Sequence, residues 1–348
     1  MIWLSYRQTR LQLSIGLVTL AVVAAGLALT GPHLAELAKT EKFLQQASDG
    51  VANSFLYVAT ILLTYGLPAL IGGFWGAPLV AREIESGTHR LAWTQGVSRT
   101  RWLAFRLGIG ATAVLAVSGL LTLAITWWAG PMDKAMPIEG PTGVFSFYRM
   151  SPFLFGVRGV APIGWALFAF ALGVVVGMLA RRTLVALGVT MALLVVLQVC
   201  VPMFVRAHLA APVDAVVPIT LENLRGLEGR PDGAGEVTLE TFHISGAGPA
   251  DWILDDETVD RNGLIPASLP SYVSGCMPEP GLNPDPASSV QRAKQACIDR
   301  LSAEGYQQHI IYHPESRFWA LQWREAGLLA GGALLLSGFA FWRIRQDP

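Results

Sequence analysis

The chain has 348 residues, 52% hydrophobic and 14% charged, with a formal net charge of zero. Soluble domains carry about 25% charged residues, so the composition argues against a water-solvated globule and for apolar surface facing lipid. A zero balance also removes any global argument for nucleic acid as a partner.

Residues 1–10 mix apolar and basic side chains. Trp3, Leu4 and Tyr6 with Arg7 and Arg10 suit either a short interfacial elbow helix or an ordinary basic flank. The first apolar run, Leu11–Thr30, exceeds the roughly 7–15 residues of a signal-peptide core. No small-x-small site precedes Gly31-Pro32-His33, so an uncleaved first span is expected. Further runs follow at Phe55–Val80, Leu103–Ala129, Ala161–Ala180, Thr183–Val205 and Ala326–Trp342. A helical span needs about 20 apolar residues; the last run is short but flanked by aromatic anchors. In the connection 31–54, Leu34, Leu37, Ala38 and Glu41 have helical spacing and would extend the first span.

The second span carries Tyr57, Thr60 and Thr64 on one face, followed by Pro68, Gly72, Gly73 and Pro78. A polar face on a breakable helix suits a substrate path; the same hydroxyls also serve as glue between packed helices. A polar island then runs from Arg82 to Arg101. Gly87 can turn the chain, Thr88 can cap a short helix to about Gln95, Gly96 can end it, and Ser98 can cap the third span. That pattern predicts a short surface helix offering Leu91 and Trp93.

The connection 130–160 is rich in Gly and Pro and aromatic at Phe145, Phe147, Tyr148, Phe153 and Phe155. Only Arg181-Arg182 joins the fourth and fifth spans, which makes them antiparallel neighbours. Gln198 lies alone in the fifth span and reads as either an interhelical bond or a ligand contact.

Residues 207–318 carry 16 acidic and 7 basic residues. Val237–Ile244 and Gln307–Tyr312 read as strands, and Ser288–Ala303 as a helix, so a compact α+β module is expected. The fold class is thus an α-helical polytopic membrane protein of six spans with a small extracytoplasmic α+β domain. Its parts are residues 1–206 with a cytoplasmic loop at 81–102, residues 207–318, and residues 319–348 as the last span and tail. Arg and Lys concentrate at the N-terminus, in 81–106, at Arg181-Arg182 and at the C-terminus, which places both termini in the cytoplasm. Trp127-Trp128, Trp319 and Trp323 suit one interface and Trp342 the other.

Cys276 and Cys297 lie in the module expected outside, where oxidising conditions permit a disulfide, and one is expected between them; Cys200 sits within a span. His309 and His313 are four apart, but no Glu follows the first, so the zinc-protease motif is absent. Ile310-Ile311-Tyr312 favour a strand that separates the two rings, and no metal is expected. The sequence has no Gly-x-x-x-x-Gly-Lys-Ser/Thr phosphate loop, no nucleophile elbow and no dinucleotide fingerprint.

At Arg82–Arg101 the chain resembles permease subunits of ABC-2 type exporters. Their loop between the second and third spans reads Glu-x-Glu-x-Gly-Thr, then a short helix, then Ser-Arg. Here these are Glu83, Glu85, Gly87, Thr88 and Ser98-Arg99. The outer module, ending in Tyr312-His313-Pro314-Glu315-Ser316-Arg317-Phe318-Trp319, is similar to that of an actinobacterial group of such permeases. The resemblance implies a membrane subunit without its own engine, in a bacterial plasma membrane. A second permease copy, identical or related, would complete the pore. A separate cytoplasmic ATPase would bind ATP and Mg, and no cofactor is implied in this chain. Carried over, the coupling residues are Glu83, Glu85, Gly87 and Thr88, with Arg82, Arg99 and Arg101 as charged flanks; the other reading of these charges is topology and helix capping. Few charges within the spans suggest a hydrophobic or amphiphilic cargo. A non-transporting receptor or assembly factor acting through the outer module is the alternative, and a membrane hydrolase using the outer histidines a third.

Overall fold

Backbone in lipid must satisfy its own hydrogen bonds, which leaves helices as the solution for isolated apolar runs. In the computed structural model all six runs are helical. It describes residues 2–40, 42–87, 98–221, 223–231, 237–244, 248–270, 272–273 and 289–346. Among the described residues six helical segments are long and apolar enough to cross a membrane: Val18–Leu37, Val51–Glu85, Arg99–Glu139, Ala161–Ala180, Thr183–His208 and Glu315–Gln346.

The first lies in α1 (Ile2–Leu37), which runs unbroken from residue 2, so there is no separate elbow helix. A short α2 (Phe43–Asp49) follows, its first amides capped by the carboxylate of Glu139 (Phe43 N 3.2 Å, Leu44 N 2.8 Å). The second span is α3 (Val51–Leu70), a π-helical turn (Ile71–Gly76) and α4 (Ala77–Glu85) in continuous succession. The third, α5 (Arg99–Glu139), has 41 residues. At about 1.5 Å per residue it outruns a hydrocarbon core of about 30 Å, so its far end stands beyond the apolar layer and carries Asp133 and Glu139.

After α6 (Pro152–Phe155) come α7 (Ala161–Ala180) and α8 (Thr183–Cys200), linked by Arg181 in the left-handed region (φ 54°) and Arg182. A second π-helical turn (Val201–Val205) and a 3-10 turn (Arg206–His208) extend α8. The span α7 is the hub: 67% of its apolar window is buried inside the protein, against 17% for the first and fifth spans, which present their sides outward. The last span belongs to α10, a helix in its own right from Phe318 to Gln346. It starts eight residues before the apolar run read from sequence.

The chain divides into two compact units, Met1–Leu209 with Trp319–Pro348, and Ala210–Phe318. The second unit holds β1 (Val213–Val217), β2 (Leu224–Pro231), β3 (Val237–Ile244), β4 (Trp252–Val259), α9 (Ser289–Glu304) and β5 (Gln307–His313). An antiparallel sheet has the order β1-β5-β4, and β2-β3 is a separate antiparallel pair. The two strands and the helix read from sequence are present; β1, β2 and β4 are additional. Its apolar core gathers Phe242, Leu269, Val273, Ile298 and Leu301. A buried polar knot ties pair to sheet: Thr258 Oγ donates to Gln308 Oε1 (2.9 Å), and Gln308 Nε2 donates to the Phe242 carbonyl (2.6 Å).

Candidate functional site

The polar island begins at the end of α4, and its two carboxylates are already engaged within the protein. Glu83 forms an ion pair with Arg106 of α5. Arg106 Nη1 also donates to the Leu79 carbonyl (2.8 Å), and its guanidinium lies 4.7 Å from the ring centre of Trp102. One arginine of the third span therefore holds the second span by its backbone and by a side chain. Glu85, two residues on, accepts a hydrogen bond from the Thr183 amide (2.9 Å). That amide is the first of α8 and has no partner within its own helix, so a carboxylate there satisfies an orphan donor and complements the helix dipole.

The carboxylates thus fasten one helix end to two different spans. Ser86 N–H then bonds the Arg82 carbonyl (3.1 Å) and Gly87 N–H the Ile84 carbonyl (3.2 Å), closing the helix. Gly87 takes φ +71°, open to glycine at no steric cost. On the return, Ser98 Oγ accepts from the Arg101 amide (3.3 Å) and caps α5, as its position suggested. Arg82 and Arg101 are exposed beside this junction, and Arg99 is half-buried. Thr88 and the short helix expected to about Gln95 lie outside the described residues.

Above this junction the second span passes the hub helix with almost no space between backbones. A Cβ on Gly173 would lie 2.2 Å from the Gly72 carbonyl oxygen, and one on Gly76 2.5 Å from the Phe170 carbonyl oxygen. Such contacts are how helices associate in lipid, where apolar side chains gain nothing by leaving their solvent. The π-helical turn lies within this seam. Wide turns of this kind recur at functional sites.

The side chains read as a possible path are buried. Tyr57, Thr60 and Thr64 are 3%, 4% and 4% exposed. Thr60 Oγ donates to the Tyr57 carbonyl (2.9 Å) and Thr64 Oγ to the Thr60 carbonyl (2.8 Å), bonds within their own helix. Gln198 Nε2 donates to the Tyr65 carbonyl (2.9 Å), an interhelical bond between the fifth and second spans.

At the opposite end of the bundle lies a buried charged layer that the sequence reading missed. Arg206, just past the second π-helical turn, pairs with Glu325 of α10 (Nε to Oε2 2.7 Å). Glu325 also accepts from Trp165 Nε1 (3.0 Å), and Arg206 donates to the Pro152 carbonyl (2.8 Å). One turn earlier on α10, Gln322 Oε1 accepts from the amides of Val160 (3.0 Å) and Ala161 (2.8 Å), capping α7. Arg158 and Asp133 form a further buried ion pair. Their signal in the sequence was a charge within a few residues of the end of an apolar run, where nothing marks its partner.

In the second unit, β5 carries both histidines read as a possible metal pair. His309 Nε2 lies 2.7 Å from Asp214 Oδ1, while His313 is buried against the Trp252 ring (5.5 Å between centres). The two histidines stand four positions apart on the strand, about 13 Å along it. Among the described residues no three His, Cys, Asp or Glu gather as metal ligands. Cys297 sits half-buried on α9 and Cys276 lies outside the described residues; Cys200 is a free thiol.

Residues 17–206, more than half of the 348, match the family described as ABC-2 membrane transporter related. No curated protein matches the chain, and no solved structure does.

Proposed function

The chain belongs to the ABC-2 membrane transporter related family, and from that premise we propose that it is the membrane-spanning subunit of an ATP-driven exporter. In this reading a second permease copy completes the assembly. A separate cytoplasmic ATPase binds ATP and Mg and drives the cycle, and no catalysis is assigned to this chain. The observation that carries the proposal is the double fastening at the end of α4, Glu83 to Arg106 and Glu85 to Thr183. A force applied to the loop 81–102 is received by the second, third and fifth spans together, and packed helices convert such a force into discrete tilts. Glu83, Glu85, Gly87 and Thr88 are thus assigned to coupling. In this role Glu83 and Glu85 transmit within the subunit, while Arg82, Arg99 and Arg101 flank the docking face.

The excess of arginine at the N-terminus, the loop, Arg181-Arg182 and the C-terminus supports a cytoplasmic position for both chain ends in a bacterial plasma membrane. The unit Ala210–Phe318 is then extracytoplasmic, where pairing of Cys297 with Cys276 is permitted. The cargo assigned is hydrophobic or amphiphilic, supported by charges that gather at the span ends.

The test is affinity purification of the tagged full chain from its native membrane, followed by reconstitution. Capture of a P-loop ATPase whose turnover rises in the presence of the permease supports the reading, and Arg82→Glu with Arg101→Glu should abolish that capture while the chain still inserts. A chain purified intact without any ATPase would favour the receptor reading instead.

A further inference from the structure

A cavity of about 420 Å³ opens between α1, the second span and α5. It falls within the roughly 300–1,000 Å³ of small-molecule sites. Its wall on the second span is one helical stripe, Leu63, Leu67, Leu70, Ile71 and Phe74, which crosses from α3 into the π-helical turn. Val117 and Leu121 of α5 face it from the other side. These positions are the middles of their spans, far from both charged ends of the bundle. Leu67, Val117 and Leu121 are buried, while Leu70 and Phe74 are 46% and 49% exposed, so the cavity has a closed back and an open mouth on the lipid-facing side.

We propose that this cavity binds the hydrocarbon tail of a single-chain amphiphile, an acyl or polyprenyl chain. The chemistry leaves little choice. Among the described residues the wall offers only two polar groups, the hydroxyl of Thr19 and the indole N–H of Trp75, against nine apolar residues or glycine. A headgroup or peptide buried at this depth would have its hydrogen bonds unmet, at a cost of several kcal/mol by the usual penalty for unpaired polar groups. A flexible chain meets no such penalty, and it enters from the bilayer without crossing water. The mouth lies at mid-depth, so the headgroup of the occupant stays outside the cavity.

The placement gives binding a consequence. Ile71, Phe74 and Trp75 line the cavity and belong to the π-helical turn. The other side of that turn is the tight seam with α7, and its far end is α4 with Glu83 and Glu85. An occupant therefore presses on the one irregular turn between the bilayer centre and the coupling loop. That the bound amphiphile is cargo rests on the exporter reading; that it binds does not.

The experiment uses the purified full chain in phosphatidylcholine–phosphatidylglycerol nanodiscs and a palmitic acid carrying a mid-chain diazirine. Photolabelled residues are mapped by mass spectrometry. Labelling concentrated on residues 63–75 and 117–121, saturable and reduced about tenfold by excess unlabelled palmitate, is the expected result. Leu62 and Leu123, exposed on the same helices, should label without saturation. Leu67→Trp, which fills the cavity, should lower the saturable component about tenfold. Non-saturable labelling throughout, as for annular lipid, overturns the proposal, and so does a crosslink from Phe74 or Trp75 to a second copy of the chain. The wild-type mapping stands even where the variant does not fold. Saturable labelling in a chain that captures no ATPase would keep the site and remove the exporter reading; capture without saturable labelling would do the reverse.

Discussion

Arg206 and Glu325 meet inside the protein with 1% and 0% of their side chains exposed, and they belong to the end of the fifth span and the beginning of the sixth. Each charge has company beyond the other: Trp165 donates to the carboxylate, the Pro152 carbonyl accepts from the guanidinium, and the Phe155 ring lies 4.7 Å beneath it. Removing one partner leaves the other buried and unmatched, at about 3–5 kcal/mol. Glu325→Ala should therefore lower the unfolding temperature of the detergent-solubilised chain sharply. Arg206→Met with Glu325→Leu, which removes both charges, should recover most of the loss. Thermal unfolding followed by tryptophan fluorescence reads both, and additive losses in the double variant would count against the pairing.

At the other end, Glu83→Arg should break the tie to Arg106 and uncouple transport from ATP turnover in the reconstituted system. Arg106→Glu alone should do the same. The exchanged pair, Glu83→Arg with Arg106→Glu, should regain coupling in part, since the attraction survives reversal while the bond to the Leu79 carbonyl is lost. A charge-assisted bond of this kind contributes about 1.5–3 kcal/mol, enough for a roughly tenfold effect. Equal transport per ATP in all three variants would remove Glu83 from the coupling role.

The seam between the second span and α7 leaves no room for a methyl group. Gly173→Ala places a Cβ 2.2 Å from a backbone oxygen that cannot swing aside, and overpacking of this kind costs about 1–3 kcal/mol or more. Gly188→Ala, on α8, meets nothing within 4 Å and should be neutral. Side-by-side thermal scans of the two variants test whether the seam is as tight as its geometry says.

In the second unit, burial, with help from a hydrogen bond to Glu304, pushes the Tyr272 phenol up to about 12. The stability this contributes is complete below the ordinary phenol value of about 10 and is lost as pH rises towards 12. The same bond comes first among the causes that hold the Glu304 carboxyl below its usual value. Its contribution is present above that value and lost as pH falls through the lowered one. Ultraviolet titration of the full chain, with Tyr272→Phe as the difference, should show one phenol ionising near pH 12. In that variant the Glu304 carboxyl should titrate closer to its ordinary range.

The six spans were legible because lipid demands apolar runs of about 20 residues, longer than the core of a signal peptide. Their ends were not. Glu325 and Gln322 sit just before the apolar run that opens at Ala326, where the sequence marks no partner for either, and Arg206 lies 119 residues from Glu325. The strand β4 was hidden for another reason: Asp255, Asp256 and Glu257 give it the composition of an acidic loop, and a register shift between Ile253 and Asp255 breaks the alternation that marks a strand. In the candidate site, Glu83 and Glu85 stood out by their spacing. What they hold did not, since Arg106 and Thr183 stand 23 and 98 residues away. Gln198 allowed two readings, and the structure gives it an interhelical bond to the Tyr65 carbonyl.

The π-helical turn Ile71–Gly76 also acts as a phase adjuster. Each residue advances an α-helix by about 100°, so the wide turn sets the compass bearing of everything that follows it. Were the turn to tighten by one residue, Glu83 and Glu85 would swing by about that angle, one away from Arg106 and the other away from Thr183, with no change in their own sequence. Whether those carboxylates meet Arg106 and Thr183 is decided about ten residues upstream, so a single-residue insertion or deletion there weighs more than most substitutions in the loop itself.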